Sequence, residues 1–365
     1  MDAIFAKRSE IGFEMPGMNS TREGNLRILN YLNGDYRDQM LDDILQGMTK
    51  RQKSIPAKYF YDARGSRLFD QICMTPEYYP TKTELSILDR SAAEIMHFFT
   101  EEEGDLIELG SGSNQKIRKL LDGMSRPGHS RVRYVPVDIS MTCLLESARE
   151  LLDDHENLTI LGILADFTRH LCVLPRGKKL LAFFGGTIGN FTEREALHFL
   201  RSVRAIMNRN DRFLLGMDMV KPIEIIEAAY NDRQGVTRDF NRNILAHINT
   251  ELGADFDPKD FGHLAFFNTE TGCVEMHLKA RRNITARIED LGLSVEIRES
   301  ETIHTEISRK FSREGAERLF REAGLSVSRW FADPKGWFYL FELKANGKEK
   351  SHGGSRGFWW SGFSG

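Results

Sequence analysis

Between residues 105 and 220 the chain alternates between short, almost wholly apolar runs and stretches whose apolar residues recur at helical spacing. The apolar runs are "DLIELGSG" (105–112), "VRYVPVDIS" (132–140), "LTILGILADF" (158–167), "KKLLAFFGGTIGNF" (178–191) and "DRFLLGMDMV" (211–220). Each has the length of a strand and lacks polar alternation, so both of its faces must be covered. Helical stripes stand among them: Ile117, Leu120, Leu121 and Met124; Leu144, Leu145, Ala148, Leu151 and Leu152; Ala196, Leu197, Leu200, Val203 and Met207. Another precedes them, at Leu85, Leu88, Ala92, Ile95, Met96 and Phe99. Such alternation predicts an α/β fold with a parallel, doubly wound sheet.

The end of the chain narrows the choice. A helical segment, "FSREGAERLFREAG" (311–324), is followed by two strands, "LSVSRWFAD" (325–333) and "WFYLFEL" (337–343), joined by "PKG". So short a turn joins antiparallel strands. A Rossmann-like sheet closed by an antiparallel hairpin points to a class I methyltransferase rather than a dehydrogenase.

Six segments are expected. Residues 1–34 form a partly loose N-terminal segment. Residues 35–82 begin with a helix (Met40, Leu41, Ile44, Leu45, Met48) and continue into the aromatic stretch "SIPAKYFYDARGSRLFDQICMTPEYYPTKTE" (54–84), which reads as a structured loop region lining a site. Residues 83–220 are the nucleotide-binding core. Residues 221–310 are an insertion too long for an ordinary connection, hence an inserted α+β substrate-binding domain. Residues 311–345 complete the core, and residues 346–365 form a Gly- and Ser-rich flexible tail.

Composition excludes several classes. The formal net charge is −3, with 28% charged residues, so nothing favours a nucleic-acid partner. No run is long and apolar enough to span a membrane, and the N-terminus lacks a signal-peptide core, so a cytoplasmic protein is expected. Cys73, Cys143, Cys172 and Cys273 are scattered, which fits reduced thiols rather than a disulfide framework. The ten histidines show no close metal-ligand spacing such as HExxH, so no metal is expected.

The glycine turn "GSGSN" lacks the third glycine of a dinucleotide fingerprint. Gly110 and Gly112 still permit close approach of backbone to a ligand. Asp138 ends the second strand, where a carboxylate accepts both ribose hydroxyls. Asp166 ends the third, in reach of an adenine amine, with Phe167 beside the ring. A nucleoside gripped by ribose and base, without a pyrophosphate cradle, suggests S-adenosylmethionine (SAM).

Over roughly residues 35–345 the sequence resembles the L-histidine Nα-methyltransferases of ergothioneine biosynthesis. The resemblance rests on "KYFYDARGSRLFDQI", "PEYYPT", "ELGSGS", "GGTIGN", "FNRNILA", "ADFDP" and "TEISRKF", in order and at family spacing. One departure is Tyr59, where the family commonly has Trp. The resemblance implies SAM binding by Tyr61, Phe69, Gly110, Lys116, Asp138, Asp166 and Phe167, with Lys116 reaching the methionine carboxylate. It implies that Asn190 and Tyr230 hold the carboxylate of L-histidine. Glu306 and Ser308 then hold its imidazole, with Tyr78 and Thr237 nearby and Met276 packing the ring. A carboxylate plus a hydroxyl satisfies either protonation state of imidazole. Three methyl transfers would give hercynine. Tyr61 or a water is the candidate proton acceptor, and a monomer is expected. Two other readings compete: a related enzyme acting on another amino acid such as a tryptophan derivative, and a non-catalytic SAM-binding protein. An indole offers one donor and no acceptor, so the Glu306–Ser308 pair favours histidine.

Overall fold

A computed structural model describes residues 20–32, 35–100, 102–124, 131–155 and 157–347. The chain opens with strands β1 (Ser20–Glu23) and β2 (Leu26–Asn30), then α1 (Asp35–Thr49), β3 (Lys53–Ser54), α2 (Ala63–Met74) and α3 (Tyr79–Met96). The alternating section follows as β4 (Gly104–Leu109), α4 (Gln115–Gly123), β5 (Val132–Asp138), α5 (Met141–Asp154), β6 (Thr159–Leu164), β7 (Lys179–Phe183), α6 (Glu193–Ile206) and β8 (Arg212–Asp218). Next come α7 (Ile223–Tyr230), α8 (Val236–Leu252), β9 (Phe261–Asn268), β10 (Cys273–Ala280), β11 (Ile284–Ile288), β12 (Leu293–Ile297) and β13 (Thr302–Arg309). The last elements are α9 (Arg313–Glu322), β14 (Leu325–Ala332) and β15 (Phe338–Ala345).

The large sheet has the order β1-β2-β6-β5-β4-β7-β8-β15-β14. Strands β2, β6, β5, β4, β7 and β8 run parallel, and β15 and β14 add as the antiparallel hairpin read from the sequence. The strands are apolar on both sides because their pleat feeds two cores. Leu106, Tyr134, Leu180 and Ala182 enter one cluster with Ile117 and Leu120 of α4. Ile107, Val135, Val137, Leu181 and Phe183 enter the other with Leu200 and Val203 of α6. Burying each such side chain contributes about 1.5–3 kcal/mol. From β4 the chain winds outward through β5 and β6, then returns to the other side at β7. The switch point between β4 and β7 therefore opens at their carboxyl ends, where such sheets bind ligands.

A four-stranded sheet, β3-β13-β10-β9, and the pair β11-β12 make up the second unit. A third apolar cluster joins Met40, Ile44, Tyr59 and Phe60 to Phe240, Ile244, Val274, Leu278 and Ile303. The region before the core and the insertion thus share one interior.

Two local expectations are corrected. Residues 20–30, expected to be loose, form a hairpin whose second strand extends the large sheet beside β6. Leu26 and Ile28 point to its core at period two, which makes the addition favourable. The stretch 54–84, read as loop, is largely helical: a 3-10 turn at Ala57–Phe60, then α2 and the start of α3. Asp62 caps α2 by accepting from Gly65 N at 2.6 Å. Pro80 sits in the first turn of α3, where a missing N–H breaks no helical bond. Residues 348–365, most of the expected tail, and residues 1–19 lie outside the described residues. Tyr59, the departure from the family pattern, is fully buried, and its hydroxyl donates to Asp43 at 2.8 Å.

Candidate active site

At the carboxyl end of β4, Gly110 and Gly112 have φ of +67° and +46°. Gly110 N and Ser111 N donate to Val137 O, so the turn is tied to the end of β5. A Cβ on Gly110 would stand 3.2 Å from the Phe167 ring, tighter than ordinary contact. Asp138 accepts from Gly112 N on one oxygen and from Ser140 N on the other, both at 2.9 Å. Each carboxylate oxygen retains acceptor capacity, as a ribose diol requires. Burial raises the Asp138 pKa, and the backbone N–H bonds from Gly112 and Ser140 offset part of that rise. Asp138 does not cap α5; the Ser140 hydroxyl does, accepting from Cys143 N. Asp166 is buried and uses Oδ1 for both Thr168 N and Thr168 Oγ1. The Ser111 hydroxyl is buried without a hydrogen-bond partner. Two acids on successive strand ends, a backbone cradle and an orphaned hydroxyl fit a nucleoside cofactor.

Lys116 differs from expectation. It lies in the first turn of α4, but its Nζ is 2.8 Å from Glu84 Oε2 on α3. Glu84 is fully buried and also accepts from Gly185 N. Burial works against the Lys116 charge, but Glu84 outweighs it and holds the pKa above the ordinary value. Lys116 is therefore half of an ion pair, not a free cation. Its remaining donors are what a ligand carboxylate would find.

An aromatic wall continues from this edge. Tyr61 meets Phe69 edge-on at 5.8 Å, Phe69 meets Tyr78 at 6.1 Å, and Tyr78 meets Tyr230 at 6.4 Å. Phe240 of α8 backs both Tyr61 and Phe69. Tyr61 keeps 37% exposure while protein surrounds it, as on the floor of a cleft. That desolvation, with the Glu306 charge second, pushes its pKa well above the phenol range. The neutral phenol form of Tyr61 is thereby favoured.

The second half of the site hangs on β10 and β13. Cross-strand pairing sets Met276 opposite Glu306, Val274 opposite Ser308 and Leu278 opposite Ile303. Val274, Met276, Leu278 and Ile303 all enter the core of the second unit, so Glu306 and Ser308 face the same side. Ile303 and Glu306 differ in parity, and a bulge between the pairs at Met276 and His277 absorbs the extra residue, Thr305. This one irregularity aims Glu306 inward.

Asn190 ends the turn after β7, which Gly186 enters at φ +68°. Its amide donates to Glu306 Oε1 at 2.6 Å. Tyr230 OH donates to Ser308 Oγ at 2.7 Å. The two pairs expected to hold separate ends of a substrate are thus bonded to each other. Burial pushes Glu306 up to about 7, although the Asn190 bond and Lys310 pull it down. Thr237 stands at the start of α8, where its backbone N donates to Asp232.

Sequence reasoning missed the base of this cluster. Lys310 is fully buried, donates to Ser308 Oγ at 2.8 Å and Tyr230 OH at 3.0 Å, and pairs with Asp218 at 2.9 Å. Tyr79 OH and Lys221 complete the Asp218 shell. Burial alone would raise the Asp218 pKa, but Lys310 and Lys221 bring it below the ordinary value. A signal was present: Asp218 ends the fifth strand as Asp138 ends the second, and Lys310 lies inside "TEISRKF".

The sheet order, the terminal hairpin and the acid-tipped strand ends define a class I SAM-dependent methyltransferase. A family model described as "Histidine-specific methyltransferase, SAM-dependent" matches residues 40–345, and the chain belongs to that family. It is 40% identical to the histidine N-alpha-methyltransferase of Mycolicibacterium smegmatis over 86% of this chain and 98% of that protein. The protein of the same name from Mycobacterium tuberculosis is also 40% identical, over 82% of this chain and 92% of that one. Ergothioneine biosynthesis protein 1 of Schizosaccharomyces pombe is 30% identical over 63% of this chain, which matches 31% of that longer protein.

Proposed function

We propose that this protein methylates the α-amino nitrogen of L-histidine three times, forming hercynine in the ergothioneine pathway. The supporting observation is the partly buried Glu306 carboxylate, held by Asn190 beside the Ser308–Tyr230–Lys310 cluster. SAM supplies the electrophilic methyl carbon. Asp138 and Asp166 would take the ribose and adenine, and Gly110 and Phe167 would shape the cradle. Glu306 accepts from an imidazole N–H, while Ser308 offers its hydroxyl to the other ring nitrogen. Lys310 keeps the Tyr230 and Ser308 hydroxyls oriented and adds positive charge beside a bound carboxylate. Met276 packs the ring, and Thr237 lies at the margin.

Positioning carries most of the work, supplying up to about 7–11 kcal/mol in favourable systems. With Tyr61 neutral, the amine proton leaves to water. The rings of Tyr61, Phe69 and Tyr78 face the growing ammonium, a contact worth about 0.5–2 kcal/mol for each well-placed ring. The large sheet serves the cofactor, while residues 35–82 and 221–310 serve the substrate. No reaction step calls for a metal, since a sulfonium is already a good leaving group. We place the protein in the cytoplasm, as a monomer. Among the described residues no helix is long and apolar enough to cross a membrane.

The test incubates the protein with SAM and each common amino acid and follows masses. Histidine should gain one, two and then three methyl groups. Methylation of tryptophan in preference to histidine, or no transfer at all, would refute the assignment.

A further inference from the structure

The strands that turn Met276, Glu306 and Ser308 inward carry a second group of polar side chains on their other face. His277 of β10 stands directly opposite His304 of β13, beside the bulge, and Glu275 lies two residues before His277. The potential ligand atoms of these three residues lie within 4.8 Å of one another. Glu275 Oε2 is 3.3 Å from His277 Nε2. A tetrahedron with ~2.0 Å metal–ligand bonds has an edge of about the same length.

Two ring nitrogens of this group, His277 Nδ1 and His304 Nε2, are buried without a hydrogen-bond partner. His277 as a whole is only 8% exposed. An unpaired buried nitrogen is costly: an ion that took Glu275 Oε2 and His277 Nε2 would satisfy His304 Nε2 through its lone pair and leave His277 Nδ1 as the protonated nitrogen. We propose that Glu275, His277 and His304 form a binding site for a first-row divalent metal of the zinc class, on the outer face of the substrate sheet and apart from the reaction centre.

The surroundings suit ligation. Asn268 Nδ2 holds Glu275 Oε1 at 2.8 Å, which leaves Oε2 toward the histidines. The Glu306 backbone is a hydrogen-bond partner of His304, the kind of outer contact that orients a ligating imidazole. Phe266 stacks on His277 at 5.8 Å with 10° between the planes, fixing that ring. Two imidazoles and one carboxylate match zinc in ligand type and leave one position for water. A bound ion would clamp β10 to β13 beside the bulge that aims Glu306, and so stiffen the sheet rather than take part in methyl transfer.

The experiment uses the full chain, stripped with a chelator and dialysed. It is titrated with ZnCl2 by calorimetry, and with Co2+ by visible absorption. One Zn2+ should bind per chain and raise the melting temperature, and Co2+ should give the intense bands of a low-coordinate site. Glu275→Gln keeps the Asn268 bond, and His304→Gln removes one ligand. Each should weaken Zn2+ binding by roughly tenfold or more and shrink the metal-dependent rise in melting temperature at a fixed Zn2+ concentration. His198→Gln, at an exposed position on α6, should leave both unchanged. If His304→Gln does not fold, Glu275→Gln decides. Absence of stoichiometric binding, or equal affinity in wild type and Glu275→Gln, overturns the site.

Discussion

The Asn190 side chain donates to the Glu306 carboxylate at 2.6 Å across 116 positions of sequence. Asn190 follows β7 of the large sheet and Glu306 lies on β13 of the smaller one, so this bond ties the carboxyl edge of the large sheet to the smaller sheet. The bond also tunes the acid: it lowers a carboxyl that burial has raised to about 7.

Imidazole recognition needs the ionised carboxylate, so kcat/KM for histidine should fall on the acid side of about pH 7. Asn190→Ala removes a bond to the charged form, and the acid limb should move to higher pH. Glu306→Gln should lose that limb and lower kcat/KM roughly 10–100-fold. A limb that stays in place in both variants would separate Glu306 from substrate binding.

The same carboxyl should cost stability. Its pKa is about 7 in the folded chain against an ordinary 4.5. Below the lower value both states are protonated and no penalty exists. Between the two values the folded state binds the extra proton, so stability declines as pH rises, and above about 7 the loss is complete. Glu306→Gln should therefore raise the melting temperature at about pH 8 and leave it unchanged at about pH 4. The gain has an upper limit of about 3 kcal/mol. A variant less stable than wild type at the higher pH would contradict this.

Lys310→Met strands the buried Asp218 carboxylate and frees the Tyr230 and Ser308 hydroxyls. Breaking a buried pair costs about 3–5 kcal/mol, and Lys221, which also contacts Asp218, should hold the loss to the lower end. Urea unfolding measures it. A loss under about 1 kcal/mol would mean that the pair is not maintained in solution.

Gly110→Ala forces a side chain into φ +67° and sets a Cβ 3.2 Å from Phe167. The backbone term alone is about 1–2 kcal/mol. The KM for SAM should rise while the KM for histidine stays near wild type, measured by varying each substrate in turn. The opposite split would place the turn on the substrate side.

The cofactor half was legible because its signals are local. Strand-length apolar runs, helical stripes, Gly110 and Gly112, and acids at strand ends are read within about ten residues each. The hairpin that closes the sheet was equally visible. Residues 54–84 were misread because α2 and the first turn of α3 bury Ile72, Tyr78 and Tyr79 largely against distant residues such as Tyr230, Phe240 and Met276, which no local window contains. Spacing along the chain likewise does not reveal that His277 and His304 stand opposite each other, since strand pairing alone brings them together.

Sequence alone determined the alternating strands and helices of the core, the class of fold and, through its long motifs, the family. Tertiary structure alone decided which polar groups meet: Lys116 with Glu84, Lys310 with Asp218, and Asn190 with Glu306. It also decided that Glu306 faces inward, since one extra residue at Thr305 inverts the side-chain alternation of β13. The reason is physical. Propensity and periodicity act over a turn or a strand, but these pairings and the strand register are set by contacts between segments more than twenty residues apart, and as far apart as Asn190 and Glu306.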